Sequence, residues 1–160
     1  MHDNSPEPER QKARSRPAEG FSSQERAAIK EHAAELKAQG RNGRAADKAA
    51  ANEAALLAKI AEMPEHDRAL AERVHAIVTA CAPDLEPKLY YGQPGYARNG
   101  KVLCFFRSGQ GDKERYSTFG FSVQANLDDE SGLWATSYAL TEPTEAAWAT
   151  LEKLIRKAAR

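Results

Sequence analysis

Residues 88–107, KLYYGQPGYARNGKVLCFFR, carry the clearest structural signals in the chain. Aromatic and aliphatic side chains that favour strands stand there between residues that favour turns. Asn99-Gly100 is the strongest hairpin signal in the chain, because both residues tolerate the positive φ angles of a type I′ turn. A turn is also predicted at 92–94. The strands predicted around these turns are 88–91, 95–98 and 101–107.

Further strands follow in the chain, and helices stand on either side. A glycine-containing loop at 108–114 leads to predicted strands at 115–123 and 133–140, which an acidic loop joins. Consecutive strands with short connections favour an antiparallel sheet. The fold class predicted is α+β: an antiparallel sheet of about five strands, preceded by helices and closed by a C-terminal amphipathic helix at 143–159.

The N-terminal half is predicted to be helical after a disordered tail at 1–20, which has no large apolar side chain. Ser22 and Glu25 form a capping-box pattern that starts an alanine-rich helix to residue 38. Residues 39–43 are expected to end it, and further helices are predicted at 48–62 and 64–81. The organisation predicted is a single domain at 21–160, with a loosely docked helix and linker at 21–47 and a compact core at 48–160.

Charge and composition exclude several classes of function. The net charge of the 160 residues is zero, so no chain-wide field attracts nucleic acid or a membrane surface. Residues 91–120 hold five Lys/Arg against two Asp/Glu, whereas residues 121–142 hold four acids and no Lys or Arg. No apolar segment approaches a membrane span or a signal peptide, and the two cysteines suggest neither a disulfide nor a zinc site. A cytoplasmic protein is expected.

Several short motifs occur in an order that resembles the YdhG-like domain family, a bacterial family of unknown function. The resemblance covers about 21–159, and its motifs are YGQPGY at 91–96, GKV at 100–102, RYSTFGF at 115–121, ANLDD at 125–129 and LW at 133–134. The chain departs from the family at Gln93, where Met is usual, at Gly95, where Ala is usual, and at Ala135, where Pro is frequent. The resemblance implies a compact α+β fold and, for some members, the role of a frataxin-like intracellular iron chaperone.

Metal chemistry has one candidate, the acidic loop. Asp128 and Asp129 supply the hard oxygen ligands that iron or magnesium prefers, although such a run is more often a solvated turn. His66 and His75 are nine residues apart on one predicted helix, which places them on opposite faces. The cofactor is left open, with iron as the expectation that the resemblance implies.

A ligand site is predicted around the central turn. A concave pocket with a basic residue in its wall would hold a small anionic ligand. The candidate lining residues are Tyr91, Tyr96, Lys101, Arg115, Tyr116 and Trp134. Arg115 and Tyr116 are expected to point to opposite faces of one strand, and Arg115 either lines this pocket or forms a buried ion pair with Asp128 or Asp129.

No enzyme signature is present. The chain has no Gly-x-Ser-x-Gly elbow, and its glycine-rich segment at 109–113 lacks the spacing of a phosphate-binding loop. The prediction is therefore a small cytoplasmic binding or accessory protein, with iron handling as its most specific form. The alternative is a protein–protein interaction module that binds a partner, or a second copy of the chain, through the alanine-rich first helix.

Overall fold

The computed structural model describes residues 23–160, except for the side chains of residues 24, 25, 31, 32 and 34–42. The tail predicted at 1–20 and the capping box of Ser22 and Glu25 lie outside the described part. By its contacts the chain divides into two compact units, with the boundary between Gly43 and Arg44. The finer division predicted at residues 47 and 48 stays a prediction. The sheet and the two later helices belong to the second unit.

The first helix, α1 (Ser23–Glu62), is continuous, so the prediction of two helices separated at 39–43 was wrong. Each glycine in a helix costs about 1 kcal/mol relative to alanine, but it leaves the backbone hydrogen bonds in place. No proline occurs between Ser23 and Met63, and the alanine-rich flanks favour propagation. Pro64 ends the element and stands directly before α2 (Glu65–Cys81).

The sheet is a five-stranded antiparallel meander in which every strand pairs with its neighbours in the chain. Its strands are β1 (Glu86–Tyr90), β2 (Gln93–Arg98), β3 (Lys101–Arg107), β4 (Ser117–Phe121) and β5 (Ser137–Leu140). The predicted Asn99-Gly100 hairpin is confirmed, with φ angles of 52° and 78°. The first turn is formed by Tyr91 and Gly92, not by 92–94, because Gln93 already pairs with Tyr90.

A helical layer covers one face of this sheet. The last turns of α1, α2 and the closing helix α3 (Glu145–Ala158) share one hydrophobic core with the sheet. Side chains alternate between faces along each strand, so Tyr96, Cys104 and Phe121 point into this core together. Their neighbours Gly95, Phe105 and Gly120 lie on the opposite face. The predicted α+β class is thereby confirmed, and none of the helices formed by residues 23–160 is both long and apolar enough to cross a membrane.

A buried carboxylate ties the helical layer to the loop between β3 and β4. Asp67, in the first turn of α2, is 1% exposed. Its carboxylate accepts hydrogen bonds from the Ser108 hydroxyl, from the Gln110 backbone N–H at 2.8 Å and from the Ser117 hydroxyl at 3.2 Å. Ser117 Oγ in turn accepts from the Gly109 N–H at 3.0 Å. A buried charge that is fully hydrogen-bonded fixes the loop, and with it the start of β4.

Candidate ligand-binding site on the open face of the sheet

The six residues predicted to line one pocket lie in separate places. Tyr91 stands on the open face of the sheet, and Lys101 is exposed at the start of β3. Tyr96 is fully buried on the helix-covered face. Arg115 and Tyr116 border a cleft next to Asp67, and Trp134 borders another cleft beside Asp128. The structure therefore does not bring these six side chains together.

Tyr96 contributes to the core rather than to a pocket. Its hydroxyl is 3.0 Å from Nδ1 of His75, a half-buried residue of α2. Burial raises the pKa of Tyr96 well above its usual value and lowers the pKa of His75 below 6.5. Both groups are consequently neutral at neutral pH, and their contact joins β2 to α2.

Arg115 and Tyr116 precede β4 instead of lying within it, so the expectation that they point to opposite strand faces was wrong. The guanidinium of Arg115 lies over the Tyr116 ring, 5.2 Å from its centroid, and both residues are exposed. The buried ion pair considered for Arg115 is therefore not formed. The two residues border a cleft of about 350 Å³ that also contains Asp67, Glu114 and Glu142. Three carboxylates against one guanidinium make this cleft a poor site for the predicted anionic ligand.

The face of the sheet that no helix of the second unit covers carries an aromatic surface. Phe105 of β3 lies between Gly95 on one neighbouring strand and Gly120 on the other. A Cβ atom at Gly120 would stand 2.3 Å from the Phe105 ring, so the ring lies directly on the glycine backbone. Tyr90 packs against Phe105 with 5.3 Å between ring centroids. A Cβ atom at Gly95 would stand 2.7 Å from the Cβ of Tyr90, so alanine would crowd Tyr90 here.

Tyr91 extends this surface at a conformational cost. It adopts a left-handed φ of 48° in the two-residue turn, where asparagine or glycine is preferred. That conformation costs a side chain such as tyrosine about 1 kcal/mol. The ring is nevertheless 91% exposed and touches Tyr90 edge to face, with 4.6 Å between centroids. Because the Tyr91 side chain is hardly buried and its backbone is strained, it contributes little to the stability of the fold.

We call Tyr90, Tyr91 and Phe105 the aromatic patch. It borders a cleft of about 460 Å³, completed by Gln93, Arg107 and Asp112. Arg107 Nε donates to the Asp112 carboxylate at 2.6 Å, and this hydrogen bond raises the pKa of Arg107. The cleft thus has aromatic rings on one side. On the other side it has the Arg107–Asp112 ion pair, whose charges offset each other.

Gln93 has a positioning role beside the patch. Its side-chain oxygen accepts a hydrogen bond of 3.3 Å from the backbone N–H of Ser108. The contact connects the Tyr91-Gly92 turn to the loop that carries Asp112. A methionine at this position would offer only a weak sulfur acceptor.

No metal centre is visible in the part of the chain that the structure describes, where no three His, Cys, Asp or Glu side chains converge. Asp129 instead accepts hydrogen bonds from the hydroxyl and the backbone N–H of Ser131, which lower its pKa. Asp128 borders the cleft beside Trp134. Iron binding by Asp128 and Asp129 stays a prediction.

The ligand site predicted from the sequence did not include Tyr90, Phe105 or Arg107. Gly95 and Gly120 lie on either side of Phe105, but this pairing follows from the register of the sheet, which the residue types do not specify. The buried Asp67 also gave no signal, because an acidic residue in the first turn of a helix is ordinarily a surface residue that complements the helix dipole.

Comparisons with known proteins identify no relative of this chain. No protein-family model matches the chain, and neither a curated protein nor a solved structure matches it significantly.

Proposed function

We propose that the protein is a small binding or accessory protein of the YdhG-like type that holds a planar ring ligand on the aromatic patch. The observation that carries this proposal is the conformation of Tyr91. Its side chain is almost fully exposed, although its backbone is held in the left-handed region at a φ of 48°. Strain of this kind persists at sites where the side chain serves a purpose other than packing. Tyr90 and Phe105 pack against each other beside Tyr91, and ring faces that packing holds in place lose little conformational entropy on binding.

The chemistry of the cleft selects the ligand class. Tyr90, Tyr91 and Phe105 offer stacking and edge contacts to any flat ring, and each stacked base contributes about 1–3 kcal/mol in comparable protein sites. Arg107 is paired with Asp112 and lies 4.0 Å from Glu114, so it adds hydrogen-bond donors without much net positive charge. A neutral heterocycle with polar edge atoms fits this arrangement better than an anion does.

The proposal is tested by titrating the full chain with riboflavin, adenosine and a glucose tetrasaccharide while ¹H–¹⁵N NMR spectra are recorded. We expect a heterocycle to shift the amide signals of the Tyr90–Gln93 turn and of Phe105. Tyr91→Ala is expected to weaken that binding roughly tenfold, the equivalent of one stacking contact. Tyr116→Ala is the matched control, since Tyr116 is also exposed but lies at the cleft beside Asp67.

Two results would contradict the proposal. One is the absence of shifts at the aromatic patch with both riboflavin and adenosine, whether or not the tetrasaccharide produces them. The other is equal affinity in the wild type and in Tyr91→Ala, which would place the binding elsewhere.

A further inference from the structure

A second exposed apolar surface lies between β4 and β5, far along the chain from the aromatic patch. We call Val123, Leu133 and Trp134 the β4–β5 patch. Their exposed fractions are 97%, 81% and 41%. Val123 and Trp134 also border a cleft of about 410 Å³ whose other walls include Phe121 and Leu127. Three large apolar side chains exposed within twelve residues mark an interaction surface.

The loop that presents this patch is anchored at several points. The Phe121 N–H donates to the Thr136 carbonyl at 2.7 Å, and the Asn126 N–H donates to the Ala158 carbonyl at 3.0 Å. Ala125 and Leu127 are buried in the core. These anchors lie on both sides of Val123 and directly after Trp134 and Ala135, so a partner would meet a cleft whose walls are already formed.

Carboxylates lie beside the cleft and in the loop that follows it. Asp128 borders the cleft, and Asp129 and Glu130 follow it in exposed positions. Residues 121–142 contain no Lys or Arg, and the cation near Asp129 is Lys157 of α3. These carboxylates repel nucleic acid and the anionic surface of a bilayer, and they attract Lys and Arg.

We propose that the β4–β5 patch binds a basic amphipathic helical segment of a partner protein. One large apolar side chain of the segment would enter the cleft beside Trp134, and its neighbours would cover Val123 and Leu133. Lys or Arg residues along the edge of the segment would face Asp128, Asp129 and Glu130. This is the helix-in-groove mode of recognition, with an apolar anchor that gives affinity and charges that set the preferred partner.

The test uses a synthetic amphipathic helix of leucine and lysine, with a leucine and glutamate peptide of the same pattern as its control. Neither peptide contains tryptophan, so the indole N–H signals of Trp134 and Trp148 in NMR spectra of the full chain report on the protein alone. Trp134→Phe assigns the two signals. We expect the lysine peptide to shift the Trp134 signal, while the signal of Trp148, 7% exposed in the core, stays in place.

Variants locate the binding. Val123→Ser with Leu133→Ser is expected to abolish it, whereas Leu89→Ser, which changes a 38% exposed leucine of β1, is expected to leave it unchanged. Asp128→Asn with Glu130→Gln is expected to weaken it roughly tenfold at low salt, and this pair leaves the Asp129–Ser131 hydrogen bonds intact. Thermal unfolding followed by circular dichroism verifies that each variant is folded.

Three outcomes would overturn the proposal. The first is no shift of Trp134 with the lysine peptide, and the second is equal affinity for the glutamate peptide. The third is binding that survives Val123→Ser with Leu133→Ser. Co-sedimentation with vesicles of anionic lipid would identify a membrane surface, and not a basic protein segment, as the occupant.

Discussion

Replacing Asp67 by alanine should destabilise the protein more than any exposed substitution on α2. The carboxylate accepts three hydrogen bonds, and the Gln110 N–H that it holds at 2.8 Å would lose its acceptor. A hydrogen bond to a charged acceptor contributes about 1.5–3 kcal/mol net, and the three are not additive because they share one group. Water can also enter from the adjoining cleft. We expect Asp67→Ala to lower the free energy of unfolding by about 3–5 kcal/mol. The whole free energy of unfolding of a typical domain is only about 5–15 kcal/mol.

Asp67→Asn removes the charge of the side chain but can keep its hydrogen bonds, so this variant separates the two contributions to stability. The amide oxygen can keep the bonds from Ser108 and Gln110, and Ser117 can turn its hydroxyl to accept from the amide nitrogen. We expect a loss of only about 1 kcal/mol for this variant. Glu72→Ala, an exposed acid of the same helix, serves as the control and should change stability by less than about 0.5 kcal/mol.

Urea unfolding is the appropriate assay, followed both by tryptophan fluorescence, to which the core residue Trp148 contributes, and by far-ultraviolet circular dichroism. Coincident transitions would justify a two-state free energy of unfolding for each variant. The reasoning about Asp67 is refuted if Asp67→Ala lies within about 1 kcal/mol of the wild type. It is equally refuted if asparagine is as damaging as alanine.

Gly120→Ala should cost about 1–3 kcal/mol in urea unfolding, because its Cβ would stand 2.3 Å from the Phe105 ring; Phe105→Leu in the same chain should recover part of that loss. Burial lowers the pKa of His75 below 6.5, so the unfolded chain binds more protons and stability should fall as pH decreases from about 6.5. His75→Gln should make the free energy of unfolding depend less on pH in this range. If the substitution leaves the pH dependence unchanged, the role assigned to His75 is wrong. Tyr96→Phe removes the 3.0 Å contact with His75 and should cost about 1 kcal/mol at neutral pH. Tyr91→Asn should leave stability unchanged or raise it by up to about 1 kcal/mol while weakening ligand binding, since asparagine tolerates the left-handed turn; a clear loss of stability would show that Tyr91 is a packing residue.

The parts of the fold predicted correctly are those that local chemistry determines. Asn99 and Gly100 specify their turn by themselves, and β3 has the predicted bounds of Lys101–Arg107. The predicted strand at 115–123 was too long because β3 ends at Arg107, which pairs with Thr118, so Arg115 and Tyr116 have no β3 partner beyond that point. Strand length is decided by the neighbouring strand, and periodicity along one segment carries no information about that neighbour.

The aromatic patch was beyond prediction for a related reason. Counting outward from Asn99-Gly100 without irregularity pairs Phe105 with Pro94. The observed shift between Tyr96 and Ala97 moves the register by one residue, so that Phe105 pairs with Gly95. A bulge of this kind depends on packing on both faces of the sheet, and no residue type announces it. The sequence shows which aromatic residues are present, but it does not show that Tyr90, Tyr91 and Phe105 lie on the same face of the sheet.

The chain-order arrangement of the strands leaves the meander open, with β1 and β5 at its two edges. Exposed edge strands invite pairing with other chains, which leads to aggregation. At one edge, Pro87 removes a backbone donor and Lys88 adds a charge beside it. At the other edge, β5 has only four residues, too few to template a long ladder. Pro87→Val with Lys88→Val should therefore reveal a tendency to form fibrils that the natural edge suppresses.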